Sequence, residues 1–200
     1  MSLDFEDKTL PFENLDKNII VDDALFCEWP KANFIIGNPP FLGGKHLRAE
    51  RGDEYAEKIY AAFPNVKGQP DYCVFWFRKA HQSSAKKIGL VGTNSVAQGI
   101  SRKAGLEHIT ANKGIITNAI STQVWSGTAN VHVSIVNWVK NKKNVPPAIY
   151  LDDRKVKHIN SSLKAEADYT GAKRIPENSD KSFEGCQLAG KGFVIPAETA

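Results

Sequence analysis

Four residues at the end of an apolar run have the types and spacing needed to hold an amino group. Asn38-Pro39-Pro40-Phe41 directly follows the apolar segment 34–37. The Asn38 side-chain carbonyl and the Pro39 backbone carbonyl are two acceptors without charge. Because proline has a fixed φ and no N–H, Pro39-Pro40 forms a rigid shelf that offers no competing donor. Phe41 then supplies a ring for base stacking, an interaction worth roughly 1–3 kcal/mol.

These groups match the chemistry of methyl transfer to an aromatic amine. Such an amine is a poor nucleophile because its lone pair is delocalised into the ring. Two acceptors that bind both amine hydrogens draw the nitrogen toward tetrahedral geometry and localise the lone pair. No strongly perturbed acid or base is needed, since the proton leaves only after the methyl group has arrived. A simple turn is the alternative interpretation of Gly-Asn-Pro-Pro. The apolar strand before it and the aromatic ring after it favour a functional site.

The surrounding pattern predicts an α/β fold that places this shelf at the end of a strand. Apolar runs predict strands at 18–21, 33–37, 87–92, 115–124, 131–139 and 148–151, and periodicity predicts helices at 53–63, 70–83 and 101–112. Asp71 is placed to cap the second helix. The alternation indicates a mostly parallel sheet, with the strands at 115–124 and 131–139 forming an antiparallel hairpin at one edge. The strand predicted at 33–37 is apolar after its first residue, which suggests a central strand covered on both faces. Ligands of such sheets bind beyond the carboxyl ends of the strands.

Composition limits the classes of protein that the chain can represent. A length of 200 residues suits one globular domain or one domain with the start of another. Hydrophobic residues make up 42% of the chain and charged residues 24%, as in an ordinary globular protein. The sequence contains no apolar run of about 18 residues, so we expect no membrane association. Its 3 cysteines are far apart, which argues against a zinc site or a disulfide framework and favours the cytoplasm. We therefore expect no metal. The net charge of +4 permits a polyanionic partner without requiring one.

Several segments resemble one family of enzymes. The stretch from Phe34 to Phe41 resembles motif IV of the S-adenosylmethionine-dependent adenine-N6 DNA methyltransferases. Phe41-Leu42-Gly43-Gly44-Lys45 is similar to their MmeI-like branch, which often belongs to fused restriction–modification enzymes. Further segments are similar to motifs III, V, VI and VII–VIII in the family's order: 22–25, 71–72, 89–95 and 125–133. Residues 185–195 resemble the stretch that leads into a target-recognition domain.

The resemblance implies a partial Rossmann-like class I methyltransferase fold with S-adenosyl-L-methionine as methyl donor. It implies that Asp23 contacts the adenine of this cofactor. It also implies that double-stranded DNA is the substrate and that Asn38, Pro39, Pro40 and Phe41 receive a flipped adenine.

Three other residues are candidate DNA contacts. Lys45 and Arg48 follow the shelf on a polar loop, where they can touch phosphates. Trp125 follows a predicted strand and can line the target pocket. An ordinary polar loop and a packing role for the tryptophan are the alternatives.

Residues 4–145 are expected to form the catalytic core, incomplete at its N-terminus, and residues 146–200 a linker and the start of a target-recognition domain. The glycine-rich cofactor loop, motif I, should precede motif III, yet residues 1–21 contain no glycine. We therefore expect this chain to be a piece of a longer polypeptide. The remainder would supply the cofactor loop and the target-recognition domain, and in a fused enzyme a nuclease. The isolated chain is expected to bind the cofactor weakly or not at all and to be inactive.

Two alternatives remain open. Similar Asn-Pro-Pro-aromatic shelves occur in enzymes that methylate a protein glutamine or RNA, although the basic C-terminal stretch disfavours the small glutamine enzymes. A non-catalytic DNA-binding remnant belongs to another class, and the missing motif I is the feature that favours it.

Overall fold

A six-stranded sheet carries the candidate site. The computed structural model describes residues 18–125, 131–166, 176–178 and 181. Its strands are β1 (Phe34–Gly37), β2 (Lys87–Thr93), β3 (Ile115–Val124), β4 (His132–Val139), β5 (Ile149–Leu151) and β6 (Arg154–Val156). They lie in the order β1-β2-β4-β3-β5-β6. A compact unit that contains the whole sheet ends at residue 167.

The α-helices of the described residues lie between β1 and β3 in the sequence. They are α1 (Leu47–Arg51), α2 (Asp53–Ala62), α3 (Val74–Gln82), α4 (Gly99–Arg102) and α5 (His108–Ala111). A π-helical segment, Lys103–Glu107, joins α4 to α5, so one helical stretch runs from 99 to 111. The described residues also form short 3-10 turns at Gly44–His46, Asn94–Ala97, Lys142–Asn144 and Pro176–Asn178.

Four strands of the sheet run in the same direction. β1 is parallel to β2, and β3 is parallel to β5, whereas β4 is antiparallel to both β2 and β3. β6 is antiparallel to β5. The carboxyl ends of β1, β2, β3 and β5 therefore lie along one edge, as expected for a Rossmann-like sheet. This arrangement confirms the predicted α/β class and the antiparallel hairpin of β3 and β4. The hairpin was wrongly placed at the edge, because β4 lies between β2 and β3.

The core lies where α3 packs against the sheet. Phe77 of α3 stacks on Trp138 of β4, with ring centroids 5.5 Å apart and an interplanar angle of 13°. His81 accepts a hydrogen bond at Nδ1 from Trp138 Nε1, at 3.3 Å. Phe75 and Leu106 are fully buried in the same cluster. The aromatic side chains of α3 are therefore packed deeply against the sheet.

Three local predictions are wrong. Residues 18–21 form no strand, and Val21 is 94% exposed. β1 is an edge strand of the described sheet, with Phe34 66% and Ile36 88% exposed. A run of four apolar residues does not indicate how many strands pair with it, which explains this error. Asp71 does not cap α3, because its carboxylate accepts a hydrogen bond from Thr93 Oγ1 at 2.6 Å.

The sheet extends past the domain boundary predicted at residue 145. β5 and β6 form a hairpin whose turn residues, Asp152 and Asp153, have φ of 49° and 60°, as in a type I′ turn. Asp152 also accepts hydrogen bonds from Ser121 N and Ser121 Oγ, at 2.7 and 2.8 Å. Residues 149–156 thus belong to the sheet. The assignment of the later residues to a linker and a target-recognition domain stays a prediction, and most of 168–200 lies outside the described residues.

None of the helices in the described ranges is long and apolar enough to cross a membrane.

The stacked pair in the core generates a stability prediction. We expect Phe77→Ala to lower the free energy of unfolding by about 3–5 kcal/mol, because it leaves a cavity beside Trp138. Phe34→Ala is the matched control and should cost less than about 1 kcal/mol, because Phe34 is mostly exposed. Denaturant unfolding of the purified chain measures both. Equal losses in the two variants would contradict this account of the core.

Candidate active site

The shelf forms one wall of an open cleft at the carboxyl end of β1. Pro39 is buried, whereas Asn38 and Pro40 are exposed. The cleft has a volume of about 430 Å³. It is lined by Ala24, Trp29, Ile35, Ile36, Gly37, Asn38, Pro39, Pro40, Trp76 and Leu90. Its other walls are thus apolar and aromatic. A planar, mostly apolar ligand with a few polar edges fits such a surface.

The residues after the shelf are held tightly against the segment before α3. Tyr72 N donates a hydrogen bond to Leu42 O, at 2.8 Å. Gly44 is buried, and a Cβ at this position would overlap the backbone oxygens of Gln69 and Pro70. Phe41 is half-buried and packs against the hydrophobic core. Its predicted stacking on a base stays a prediction.

Asp23 lies beside the cleft, next to Ala24, with both carboxylate oxygens in hydrogen bonds. Its Oδ1 accepts from Leu25 N at 2.9 Å, and its Oδ2 accepts from the Tyr55 hydroxyl at 2.6 Å. The Tyr55 hydroxyl also lies 2.7 Å from that of Tyr72. Each carboxylate oxygen has two lone pairs, so Asp23 keeps acceptor capacity for a ligand.

Lys79 of α3 holds the loop that contains Asp23. Its Nζ donates to Leu25 O at 2.9 Å and to Cys27 O at 2.5 Å. It also lies 5.2 Å from the centroid of the Trp29 ring. Trp29 in turn donates from Nε1 to Ala24 O, at 2.7 Å. Burial lowers the pKa of Lys79 below its usual value. The loop conformation at the cleft is therefore set by α3.

A polar cluster joins the ends of β2 and the segment before α3. Besides the bond from Thr93 to Asp71, the Asp71 backbone N–H donates to Ser101 Oγ, at 2.9 Å. Burial raises the pKa of the Cys73 thiol to about 11, so this cysteine stays protonated in the core. Cys27 and Cys73 are both free thiols. The hydrogen bond between Thr93 and Asp71 connects the segments that resemble motifs V and VI.

The candidate DNA contacts differ in how their charges are paired. Lys45 is exposed on the turn after the shelf. Arg48 forms exposed ion pairs with Glu57 at 2.6 Å and Asp53 at 3.1 Å. These hydrogen bonds, that to Glu57 foremost, raise the pKa of Arg48. Part of the charge of Arg48 is therefore already neutralised within the protein.

Trp125 lies at the carboxyl end of β3, on the same edge as the shelf. It is half-buried, and its backbone N–H donates to Val131 O at 2.8 Å across the hairpin. Residues 126–130, which resemble part of motifs VII–VIII, lie outside the described residues, as do residues 185–195. The predicted role of Trp125 in a target pocket stays a prediction.

The structure brings the shelf and the loop at Asp23 together around the cleft, with Lys45 and Trp125 on the same edge. Sequence reasoning missed Trp29, Trp76, Tyr55 and Lys79 as residues that build or hold the cleft. Trp29 could have been found from the sequence, because it is an aromatic residue only a few positions after the segment 22–25 that resembles motif III. Within the described ranges, no group of three or more His, Cys, Asp or Glu side chains is placed to hold a metal ion.

The fold and the site define a Rossmann-like methyltransferase domain, and comparison with known proteins gives its family. The family described as "MmeI, DNA-methyltransferase domain" matches residues 2–150. The chain therefore belongs to the MmeI DNA-methyltransferase domain family.

The solved structures that are similar to the chain include two proteins of restriction–modification systems. The type IIL restriction–modification enzyme MmeI in complex with DNA is 24% identical, with a TM-score of 0.55 over 68% of this chain and 20% of that chain. The chain thus spans about a fifth of that protein, and the likeness supports the fold. A modification subunit of a putative type I restriction enzyme from Vibrio vulnificus YJ016 is 14% identical, with a TM-score of 0.40 over 55% of this chain and 23% of that chain. No curated protein matches the sequence.

The tight packing of Gly44 predicts that an alanine here will destabilise the fold, and the neighbouring Gly43 provides the control. We expect Gly44→Ala to lower the free energy of unfolding by about 1–3 kcal/mol, because backbone rather than a flexible side chain must move. In Gly43→Ala, the new Cβ would lie 3.5 Å from His46 Cδ2, an ordinary contact. That variant should stay within about 0.5 kcal/mol of the wild type. Thermal or denaturant unfolding distinguishes them, and equal stability of the two variants would count against this packing.

Proposed function

We propose that this chain is the target-base half of a DNA adenine-N6 methyltransferase from a restriction–modification enzyme. The observation that carries the proposal is the position of Asn38-Pro39-Pro40 on the wall of an open cleft at the carboxyl edge of the sheet. Family membership supports DNA methyl transfer as the reaction. Adenine specificity rests on the residue types of the shelf.

The shelf would act by binding and orienting the target amine. The Asn38 side-chain oxygen and the Pro39 carbonyl would each accept one amine hydrogen and so localise the lone pair on nitrogen. Pro39 is buried, which holds its carbonyl in place, whereas the exposed amide of Asn38 is accessible to a base. A base that has left the duplex has lost a few kcal/mol of stacking and pairing. Pro40 and Phe41 would offset part of that cost by contact with its face.

S-adenosyl-L-methionine would supply the electrophilic methyl group. The residues present fit the adenosine part of this group, because the cleft is apolar and aromatic and Asp23 lies next to its lining residue Ala24. Asp23 retains lone pairs that can accept from an exocyclic amine. Trp29 and Trp76 would exclude water from the ring. The remaining parts of the cofactor would be bound by polypeptide outside this chain.

The partners proposed are double-stranded DNA and the remainder of a longer polypeptide. Among the described residues, no strand pairs with the outer side of β1, and Phe34 and Ile36 expose apolar side chains there. Both features support the second partner. A further strand and covering helices would satisfy both. The free thiols of Cys27 and Cys73 support the cytoplasm as the location.

The shelf generates the central functional prediction. In the intact enzyme, we expect Asn38→Ala to lower the rate of methyl transfer to duplex DNA roughly a hundredfold or more, because one of two amine acceptors is lost. Asn33→Ala, at the other end of β1, should keep the rate of the wild type. Labelled cofactor, digestion of the DNA and identification of the modified base measure both.

Three outcomes would contradict the proposal. Methyl groups recovered on protein or RNA would instead support the glutamine or RNA enzymes. DNA binding by the intact protein without methyl transfer would support a non-catalytic remnant. An Asn38→Ala enzyme as active as Asn33→Ala would remove the shelf from the reaction.

The ion pairs of Arg48 predict that Lys45 contributes more than Arg48 to DNA binding. We expect Lys45→Gln to weaken binding to all duplex sequences and to lower the slope of log K against log salt by about 1, because one phosphate contact is lost. Arg48→Gln should have a smaller effect, because Glu57 and Asp53 already pair with Arg48. Titrations of duplex DNA at several salt concentrations measure the slopes. A larger effect in Arg48→Gln would show that DNA displaces these carboxylates.

A further inference from the structure

A hydroxyl group of helix α2 forms a hydrogen bond with the Asp23 carboxylate. Tyr55 of α2 is half-buried, and its hydroxyl lies 2.6 Å from Asp23 Oδ2 although the two residues are 32 positions apart. The same hydroxyl lies 2.7 Å from that of the buried Tyr72, just before α3. Three separate segments of the chain therefore meet at one oxygen atom.

The direction of these hydrogen bonds follows from the chemistry of the groups. A carboxylate only accepts, so the single Tyr55 proton is directed to Asp23. Tyr72 must then donate its own proton to the Tyr55 oxygen. Such a chain of hydrogen bonds is strengthened by mutual polarisation. Burial is the main cause that raises the pKa of both Tyr55 and Tyr72, so both hydroxyls stay protonated as donors at neutral pH.

A second contact holds the same loop against α2. The ring of Phe26 meets that of Tyr55 edge to face, with centroids 5.7 Å apart. Lys58, also on α2, places its Nζ 4.0 Å from the centroid of the Phe26 ring. The Leu25 backbone N–H holds the other oxygen of Asp23, at 2.9 Å. The carboxylate is thus fixed from two directions, and its remaining lone pairs are available to a ligand.

We infer that Tyr55, supported by Tyr72, is a positioning residue that fixes the Asp23 carboxylate for contact with an amine-bearing ligand bound beside Ala24, its neighbour in the cleft lining. This inference rests on the proposed function, in which Asp23 contacts the cofactor's adenine. It gives α2 a role in cofactor affinity, although α2 follows the shelf in the sequence and contributes no residue to the cleft lining. The contribution acts on binding, since Tyr55 touches neither the shelf amide nor its prolines in the described contacts.

The test measures cofactor affinity separately from turnover in the intact enzyme. Tyr55→Phe keeps the ring and removes the hydroxyl. We expect the dissociation constant of S-adenosylmethionine to rise about tenfold, as for loss of a hydrogen bond to a charged group. The kcat at saturating cofactor should stay within about twofold, because the target shelf is unchanged. Tyr60→Phe is the matched control, since Tyr60 lies on the same helix and packs its ring on Phe75. It should leave the dissociation constant unchanged.

A double-mutant cycle with Asp23→Asn identifies the route of the effect. If Tyr55 acts through Asp23, the two losses of affinity will not add, whereas independent effects would be additive and would overturn the inference. If Tyr55→Phe does not fold, Tyr72→Phe provides the test, with a smaller loss of affinity supporting the inference and unchanged affinity overturning it.

The outcomes also separate this inference from the proposed function. Unchanged cofactor affinity in Tyr55→Phe, with methyl transfer still lost in Asn38→Ala, would overturn the positioning role alone. A wild-type enzyme that neither binds the cofactor nor methylates adenine would overturn both.

Discussion

The parallel pairing of β1 with β2 is the constraint on which the site depends. Gly37 pairs with Leu90 in this ladder, so the chain leaves β1 at the edge where β2 also ends. The shelf therefore emerges beyond Leu90, toward the edge at which β2 ends, rather than at the opposite edge of the sheet. An antiparallel β1 would place Asn38 far from the loop at Asp23, and no cleft would form. Strand direction thus determines which segments can cooperate.

Partly buried tertiary contacts then hold the cleft walls in place. Lys79 binds two backbone carbonyls of the loop at Asp23, while Tyr55 binds the carboxylate itself. Tyr72 is central, because its backbone N–H holds Leu42 after the shelf and its hydroxyl supports Tyr55. The two halves of the cleft are therefore connected through α3 and through Tyr72 just before it. A change in one wall would be transmitted to the other through these short polar contacts.

The exposed strand β1 differs from the cleft walls, which are held by hydrogen bonds. Phe34 and Ile36 would each contribute to a core if covered, and no strand of the described residues pairs with the outer side of β1. Isolated edges of this kind are prone to pair with other strands. The proposed association with further polypeptide accounts for the apolar composition of β1. The same composition had suggested a central strand.

The sequence by itself determined the local elements and the chemistry of the shelf. The strands at β2 and β3, the helix at α2 and the Asn-Pro-Pro-Phe segment follow from periodicity and residue type, which are properties of neighbouring residues. Only the tertiary structure decided that β1 lies at an edge, that β6 joins the sheet and that Asp71 binds Thr93 instead of capping α3. It also decided that Tyr55 binds Asp23 from 32 residues away. Such contacts depend on the path of the whole chain, so no local pattern can encode them.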